Sequence, residues 1–524
     1  MKDWLLNTLW ILGGLFIACN NPTEEKEHTE AEAELYQSWF DTIPYENGKE
    51  LVSTHCQSCH LSPDISSHSK QSWEHHVMPK MGPFLGIRQA GPSFYRQLYS
   101  PNSQDIFPQK PVLSQDEWEQ MVSYFVHEAA NKLKSPAPLP QIKVELEQFD
   151  IHALPSQTYR PYASLVQIDE QYQQIYLGDK DKRSIEVWSP QLKLKQSYGV
   201  FDIPAHIRTL AADQFQLLMK GGTDPSDELR GQLARFRDTE KGLFIDGRLI
   251  EELPYTVGIS YADLNQDGQE DVIISGFGEH LGKLAWYEKK GDDLYQEHLL
   301  LDIAGTLQTE VYDFDQNGLA DILALVGQGT EAYYLFYNQG NGQFEQQKLM
   351  QFLPSFGSSA FQLVDINQDH HIDILHINGQ PAAYPFELKP FHGLRIFIGT
   401  AQANFQESYF FPLHGATGLE AADYDQDGDI DIALISSAPD YSHRPEEGFV
   451  YLENQGNLQF TPLTFEKHPR GKWRYMDAGD MDADGDIDIV LGNSMIGAEK
   501  DIKAYQKLWR QGTPALVVLE NKLR

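Results

Sequence analysis

The chain has 524 residues, 41% of them hydrophobic and 12% aromatic, which is too long for one ordinary core and predicts two or more folded units. Its 76 acidic residues against 41 basic ones give a formal net charge of −35, which argues against recognition of nucleic acid or of an anionic membrane by a basic patch. The three cysteines, Cys19, Cys56 and Cys59, each fit a separate chemical role, so no disulfide framework is predicted.

Residues 1–18 have the pattern of an export signal. One basic residue, Lys2, precedes an apolar run that ends at Ala18, and this run is shorter than the roughly 20 residues of a membrane-spanning helix. Leu15-Phe16-Ile17-Ala18-Cys19 resembles the lipobox of bacterial lipoproteins. The resemblance implies that Cys19 is lipidated and becomes the mature N-terminus; a plain secretory signal and an uncleaved anchor are the alternatives.

Residues 19–43 predict a tether. This segment is polar and acidic and shows no periodicity over most of its length, as is typical of a disordered linker. Asn20, directly after the lipid-bearing cysteine, does not resemble an inner-membrane retention signal. We therefore expect a lipid-anchored protein of the cell envelope, in the outer membrane of a Gram-negative bacterium.

Residues 44–134 contain a cofactor-attachment motif. Cys56-Gln57-Ser58-Cys59-His60 has the form C-x-x-C-H, the attachment signature of c-type haem. Its two thiols, one helical turn apart, can add to the two vinyl groups of a haem, and the imidazole of His60 then serves as proximal iron ligand. A zinc site would need a second pair of ligands, and a redox disulfide would not need the histidine.

Two helical patterns surround this motif. Residues 46–52 resemble the first helix of cytochromes c. A capping-box pattern at residues 114–117 begins a second helix, in which apolar residues recur at helical spacing, namely Trp118, Met121, Val122 and Phe125. That helix resembles the terminal helix of the family, which packs on the first. The resemblance implies a small all-α cytochrome c domain over residues 44–134 with one covalent haem c.

The sixth haem ligand is sought between the motif and the second helix. Residues 73–82 are the only part of that interval with a thioether, and a methionine ligand raises the reduction potential relative to a second histidine. Met81 is the first candidate and Met78 the second, with His75 or His76 as further alternatives. The alternative that these residues only pack near the haem, without binding iron, stays open.

From residue 263 onward one nine-residue pattern occurs five times, with first residues 50, 52, 58 and 57 positions apart. A period near 50 residues predicts a propeller or a solenoid. The side chains of the first, third, fifth and ninth positions, with the backbone carbonyl of the seventh, supply the oxygen ligands that calcium prefers. The predicted ligands are Asp263, Asn265, Asp267, Gln269 and Asp271 in loop one; Asp313, Asp315, Asn317, Leu319 and Asp321 in loop two; Asp365, Asn367, Asp369, His371 and Asp373 in loop three; Asp423, Asp425, Asp427, Asp429 and Asp431 in loop four; and Asp480, Asp482, Asp484, Asp486 and Asp488 in loop five.

The sixth position of the loop needs a positive φ, which glycine supplies. His370 replaces glycine in loop three, so the third site is expected to be the weakest. Each copy runs into an apolar strand such as residues 272–274, which disfavours an EF-hand with long flanking helices. The loop followed by an apolar strand resembles the FG-GAP or VCBS repeat of integrin-type propellers, from about Tyr255 to the C-terminus. Solvated acidic turns without metal are the alternative.

The number of blades follows from two further stretches. Residues 166–188 and 208–220 show paired β-rich runs around a turn and are interpreted as blades without the loop. Together with the five loops they predict an all-β, seven-bladed propeller over residues 143–524, closed by pairing of residues 143–149 with residues 515–519. The proline-rich residues 135–142 predict a stiff linker that holds the haem domain close.

The predicted function is that of a membrane-anchored c-type cytochrome. It transfers single electrons to an unknown redox partner protein, with the calcium-stabilised propeller as docking platform, and no catalytic residues are assigned. One alternative is a propeller oxidoreductase with the haem as internal acceptor, since quinoprotein dehydrogenases also join propellers to cytochromes; their adjacent-cysteine disulfide and tryptophan repeats are not found in this sequence. The other alternative is a calcium-dependent surface binding protein.

Overall fold

The computed structural model describes residues 38–87, 106–134, 139–155, 160–379, 387–497 and 503–523. All of them belong to one compact unit, Ser38–Arg524. The predicted signal, the predicted lipidation site Cys19 and most of the predicted tether lie outside the described residues. In the described segments, no helix has the length and apolar character needed to span a bilayer.

The first described segments are helical. Five α-helices are α1 (Gly48–His55), α2 (Lys70–Ser72), α3 (Met78–Met81), α4 (Gln115–Glu128) and, far along the chain, α5 (Lys503–Arg510). A π-helical turn, Trp73–Val77, joins α2 to α3, and 3-10 turns are Trp39–Thr42, Cys56–Ser58, Ile65–Ser67, Gly82–Leu85, Pro445–Gly448 and His468–Arg470. Helix α4 begins as the sequence predicts: the Ser114 Oγ accepts the N–H of Glu117 at 3.2 Å, and the Glu117 carboxylate accepts the N–H of Ser114 at 2.7 Å.

Helices α1 and α4 pack closely against each other, as the resemblance of the two helical patterns to those of cytochromes c implies. A Cβ atom added at Gly48 would lie 2.3 Å from the Cβ of Tyr124, so the absence of a side chain at Gly48 permits this distance. The Ser123 Oγ of α4 donates to the carbonyl of Ile43 at 2.7 Å. Trp73 and Phe125 stack beneath the crossing with ring centroids 4.2 Å apart. The helical segment therefore has its own small apolar core.

The remainder of the chain forms a seven-bladed β-propeller of four-stranded antiparallel sheets. The first strand, β1 (Phe149–Ala153), belongs to the last blade. Blades one to three are β2 (Ala163–Asp169), β3 (Gln174–Asp179), β4 (Ser184–Trp188), β5 (Leu194–Gly199); β6 (Pro204–Ala211), β7 (Gln214–Met219), β8 (Gly231–Thr239), β9 (Gly242–Leu253); and β10 (Thr256–Ala262), β11 (Asp271–Gly276), β12 (Lys283–Lys289), β13 (Tyr295–Leu301). Blades four and five are β14 (Thr306–Tyr312), β15 (Asp321–Val326), β16 (Ala332–Asn338), β17 (Phe344–Gln351); and β18 (Ser358–Val364), β19 (Asp373–Asn378), β20 (Gly393–Ile398), β21 (Gln406–Pro412). Blades six and seven are β22 (Ala416–Ala422), β23 (Asp431–Ser436), β24 (Phe449–Asn454), β25 (Phe460–Leu463); and β26 (Trp473–Gly479), β27 (Asp488–Asn493), β28 (Leu516–Asn521) with β1.

The ring closes where β1 pairs with β28, Phe149 opposite Asn521 and Ala153 opposite Val517. Of the predicted closing residues 143–149, only Phe149 belongs to the closing strand, and its partner is Asn521 rather than one of residues 515–519. Lys143 pairs instead with the outer edge of blade six, where its N–H donates to the carbonyl of Pro462 at 3.0 Å. Strand β25 is short and leaves part of that edge without a neighbouring strand. The chain around Lys143 covers this edge before it continues into β1 of blade seven.

Each blade has two ends, because successive antiparallel strands are connected at alternating ends. Connections between the first and second strands carry the five nine-residue loops, and we call this side of the propeller the loop face. Connections between the second and third strands lie on the opposite side. The helical segment packs there, against residues of blades three, four and five, and we call that side the junction face.

Candidate functional site

The C-x-x-C-H motif lies at the C-terminal end of α1, where the helix passes into the 3-10 turn Cys56–Ser58. Cys59 is exposed, whereas Cys56 is half-buried against the core of the helical segment. The Sγ of Cys56 lies 4.0 Å from the Sδ of Met121. Burial, together with the neighbouring Cys59, raises the pKa of the Cys56 thiol to about 11. The two sulfur atoms are thus held one turn apart at the edge of an apolar core.

His60 has the hydrogen bonding of an iron ligand. Its Nδ1 lies 2.7 Å from the carbonyl oxygen of Leu61, and because a carbonyl only accepts, Nδ1 must donate. The neutral ring then carries its lone pair on Nε2. A metal-bound histidine is commonly oriented by such a bond from its other nitrogen.

The candidates for the sixth ligand lie at different depths. Met78 is 2% exposed in the helical core, whereas Met81 is half-buried at the end of α3. A Cβ atom added at the next residue, Gly82, would lie 3.4 Å from the ring of Trp118. The Trp118 Nε1 is buried and, among the described residues, has no hydrogen-bond partner. Because an unpaired buried N–H is costly, this indole is a suitable donor to a bound group with acceptor atoms.

The two histidines on the π-helical turn remain weaker candidates. Burial lowers the pKa of His76, and the neighbouring His75 and Lys80 lower it further. A neutral imidazole is the form that binds iron. Two thiols, the Nε2 of His60, the thioether of Met81 and the unpaired indole of Trp118 together fit a covalently attached haem.

The motif also touches the propeller. The Thr330 Oγ1 on the junction face donates to the carbonyl of Cys59 at 3.0 Å. The Glu387 carboxylate accepts the N–H of Ser69 at 2.8 Å. These contacts join residues that are 271 and 318 positions apart in sequence, and no sequence pattern predicts them.

A buried polar pair forms the centre of this junction. The Nζ of Lys389 lies 3.0 Å from the Nε2 of His68, and the two residues are 7% and 2% exposed. The Ser67 Oγ donates its one hydrogen to the carbonyl of Asp64 at 2.6 Å, so it accepts from the His68 Nδ1 at 2.9 Å. The Nε2 of His68 is then the acceptor of the lysine hydrogen bond. Burial lowers the pKa of His68 to about 2 and that of Lys389 to about 8.

The five acidic loops all lie on the loop face. In three of them, carboxylate oxygens converge to within 4.8 Å of one another, and these are Asp313, Asp315 and Asp321; Asp423, Asp425 and Asp427; and Asp480, Asp482 and Asp484. Loops one and three carry an asparagine, Asn265 or Asn367, at the third position, which removes one carboxylate from the group. In loops two, four and five, three of the predicted side-chain ligands are therefore close enough to share one ion.

The same hydrogen bond shapes every loop. The N–H of the sixth residue donates to the carboxylate of the first residue, at distances of 2.8 to 3.2 Å. His370 makes this bond with a φ of +69°, in the place of the glycines of the other loops. The fourth position also has a positive φ, between 56° and 63°, although it holds glutamine or, in loop five, alanine. The sequence pattern predicts a positive φ only at the sixth position, so the one at the fourth position was not expected.

The ninth residue of each loop has a structural role in addition to its predicted one. The buried carboxylate of Asp271 accepts the N–H of Leu264 at 3.1 Å and the N–H of Lys289 at 2.9 Å. In loops four and five, burial raises the pKa of the equivalent Asp431 and Asp488 to about 7. These residues fasten the loop to the blade, a role that the spacing alone does not show.

Several carboxylate oxygens of loops four and five have no hydrogen-bond partner among the described residues, which bears on whether these loops suit a calcium ion. The Oδ1 atoms of Asp423 and Asp482 and both carboxylate oxygens of Asp486 are buried without a hydrogen bond among the described residues. Burial, then the charges of neighbouring aspartates, raises the pKa of Asp486 to about 6. Buried unpaired carboxylate oxygens are what a hard divalent cation coordinates. The donor set of loops four and five therefore fits calcium.

Comparison with known protein families finds the same repeat. Residues 263–324, 313–376 and 423–491 match the FG-GAP-like repeat family, and these segments contain all five loops. No curated protein sequence matches the chain. The fold is similar to the crystal structure of BBS1N in complex with ARL6DN, soaked with lead, at 8% identity over 73% of this chain and 99% of that chain, with a TM-score of 0.42. It is also similar to luciferin-regenerating enzyme at 12% identity over 55% of this chain and 88% of that chain, with a TM-score of 0.34. The chain thus contains FG-GAP-like repeats within a seven-bladed β-propeller.

Proposed function

We propose that this protein is an exported, lipid-anchored c-type cytochrome that carries one haem on Cys56 and Cys59 and transfers single electrons. The observation that carries the proposal is the position of the motif at the end of α1, where helix α4 crosses the beginning of that helix. The bond from the His60 Nδ1 to a backbone carbonyl, which leaves Nε2 for iron, supports it.

The chain's own residues define what surrounds such a haem. A haem bound there supplies reversible one-electron exchange at its iron. His60 and Met81 would hold its iron, and the Trp118 indole is available as a hydrogen-bond donor to it. Thr330 of the propeller contacts the backbone carbonyl of Cys59, whereas the Cys59 side chain is exposed. We therefore propose that an electron-transfer partner docks on the exposed side of Cys59.

The propeller is proposed to act as a calcium-stabilised docking platform. Calcium would be held by the carboxylates of the loop face, on the side opposite the helical segment. A cavity of about 600 Å³ also lies between the first strands of blades one, two and seven. Because residues of the β2–β3 connection, such as Asp169 and Glu170, line this cavity, it belongs to the loop face. A substrate bound there would be separated from the haem segment by the depth of the blades, which favours electron carriage over the oxidoreductase alternative.

Haem staining of a denaturing gel tests the proposal. The full chain is produced with its signal in a host that matures c-type cytochromes. We expect peroxidase staining at the size of the polypeptide and its loss in Cys56→Ala, while Ser58→Ala, between the two cysteines, retains it. A form without the signal, kept in the cytoplasm, serves as the second control. Haem that extracts into acidified acetone would contradict covalent attachment.

The membrane anchor needs a separate experiment. Metabolic labelling with a fatty acid is expected to label the wild-type chain but not Cys19→Ser. Membrane fractionation then places the labelled protein in the inner or the outer membrane. Recovery of the labelled protein only in the inner membrane would contradict the proposed location and leave the haem proposal intact.

A further inference from the structure

Neighbouring loops on the loop face are joined to each other by side-chain hydrogen bonds. The Nε2 of Gln368, at the fourth position of loop three, donates to the carbonyl of Gly428, at the sixth position of loop four. The Nε2 of Gln426, at the fourth position of loop four, donates in the same way to the carbonyl of Gly485 in loop five, at 3.1 Å. The same pair of positions is thus bonded in two successive blades.

A second type of link is buried. Asn521, at the end of β28, donates from Nδ2 to the carbonyl of Ile487 in loop five at 3.1 Å and to the carbonyl of Tyr424 in loop four at 2.7 Å. Asn338, at the end of β16, bonds equivalently to loop two and to the carbonyl of Leu264 in loop one, at 3.1 and 2.8 Å. Both asparagines are at most 5% exposed, so water competes little for these bonds.

These bonds divide the loops into two groups. Asn338 joins loops one and two, whereas Gln368, Gln426 and Asn521 join loops three, four and five. Between loops two and three, both fully inside the described residues, there is no hydrogen bond. The turn of blade one extends the second group, because the Glu170 carboxylate accepts the N–H of Asp480 in loop five at 3.0 Å.

The glutamine link acts on atoms next to predicted calcium ligands. The peptide unit whose carbonyl accepts from Gln426 also supplies the N–H of Asp486, which donates to the carboxylate of Asp484 at 3.3 Å. Asp484 is the ligand at the fifth position, and the carbonyl at the seventh position follows directly. The backbone of Gln426 itself lies between Asp425 and Asp427, two ligand positions of loop four. Ordering the ligands of loop four therefore orders the peptide that presents those of loop five.

We propose that calcium binding is coupled within the group of loops three to five and within the group of loops one and two, and is independent between loops two and three. Gln368 and Gln426 act as positioning residues for the neighbouring site. This inference rests on the proposed calcium sites. Because coupling is reciprocal, occupancy of loop five must favour loop four as much as loop four favours loop five.

Hydrogen-exchange mass spectrometry of the full chain, across a series of buffered free calcium concentrations, gives a separate binding midpoint for each loop peptide. In Gln426→Ala we expect the midpoint of loop five to rise about two- to fivefold, the effect of losing one partly solvated hydrogen bond, with loops one and two unchanged. Gln316→Ala is the matched control, since Gln316 holds the same position and a positive φ of 59° but bonds to no other loop in the described chain.

Removal of a ligand tests the grouping without relying on the glutamine. Besides weakening loop four itself, Asp427→Ala should raise the calcium midpoints of loops three and five and leave loops one and two unchanged. Besides weakening loop two itself, Asp315→Ala should raise the midpoint of loop one and of no other loop. Calcium protection of every loop, with no response of loop five to either Gln426→Ala or Asp427→Ala, would overturn the coupling and leave the calcium sites in place. A wild-type chain in which calcium protects no loop would overturn both proposals.

Discussion

Lys389 on the junction face donates a hydrogen bond from its Nζ to the Nε2 of His68 at 3.0 Å, joining two residues that are 321 positions apart. The same ammonium donates to the carbonyl of Ser355 at 3.3 Å. Both side chains of the pair are buried, so specific polar contacts hold the helical segment against the propeller. The linker alone does not determine the position of the helical segment.

Replacing this lysine should loosen the junction. Lys389→Met keeps most of the apolar stem but leaves the His68 Nε2 and the Ser355 carbonyl without this donor, and it removes the positive charge near Glu387 and Glu331. We expect a loss of about 1–3 kcal/mol and faster hydrogen exchange across residues 69–81. Lys348→Met is the control, because Lys348 is an exposed lysine near the ring of Tyr334. Unchanged exchange across residues 69–81 in Lys389→Met would show that the pair does not hold the segment.

The same pair predicts sensitivity to acid. Burial, then the charge of Lys389, lowers the pKa of His68 from 6.5 to about 2. The unfolded chain therefore binds the extra proton below pH 6.5 and the folded chain does not, so stability falls as the pH falls through that range.

Thermal unfolding at pH 7 and pH 5 measures this effect. His68→Gln keeps an acceptor for Lys389 but does not titrate, and it should lose less stability on acidification than the wild type. The difference between the two is expected to reach about 2 kcal/mol. Equal losses in both proteins would mean that His68 is protonated within the folded junction.

The repeating parts of this fold were predictable, and the unique contacts were not. The period of the acidic loops and the two loop-free blades predicted seven blades, because each blade buries its apolar strands in the same way. The capping box at Ser114 predicted the beginning of α4. The contact of Cys59 with Thr330 joins two segments without a shared period, and neither residue type indicates its partner.

The loops show the same division in more detail. The convergence of acidic side chains in these loops could be predicted from their spacing, which suits the oxygen requirement of calcium. The positive φ at the fourth position was missed because Gln266 and its equivalents are not glycine. The positive φ of Gln266 accompanies two hydrogen bonds made by the next residue. The N–H of Asp267 donates to the side chain of Asp263 at 3.1 Å and to that of Asn265 at 3.0 Å. The residue type at the fourth position therefore gives no sign of its left-handed backbone conformation.

Replacing His370 with glycine is predicted to increase the calcium affinity of loop three. A left-handed conformation costs a residue with a Cβ roughly 1–2 kcal/mol, and His370 adopts it with a φ of +69°. His370→Gly should increase the calcium affinity of loop three about fivefold or more, and the reverse change Gly428→His should weaken loop four, where the φ is +98°.

Calcium-dependent melting of the full chain checks this prediction. Chelation should lower the melting temperature, because a ligand that binds only the folded form stabilises it, and His370→Gly should require less calcium to restore it. The absorption spectrum of the haem should stay unchanged during chelation, since the loops lie on the face opposite the junction. A spectrum that shifts with calcium would contradict this separation.

Met81 is predicted to be the sixth haem ligand because it is the half-buried thioether at the end of α3, while Met78 is buried in the core. In the oxidised protein, the weak methionine-to-iron band at long wavelength should disappear in Met81→Ala. The reduction potential should fall as well, since replacing a thioether with a nitrogen or oxygen ligand favours the ferric state. Met78→Leu is the matched control: it conserves volume in the core, where truncation to alanine would cost about 2–5 kcal/mol, and it should keep both the band and the potential. Loss of the band in Met78→Leu, with its retention in Met81→Ala, would assign the ligand to Met78 and require the helical core to open around it.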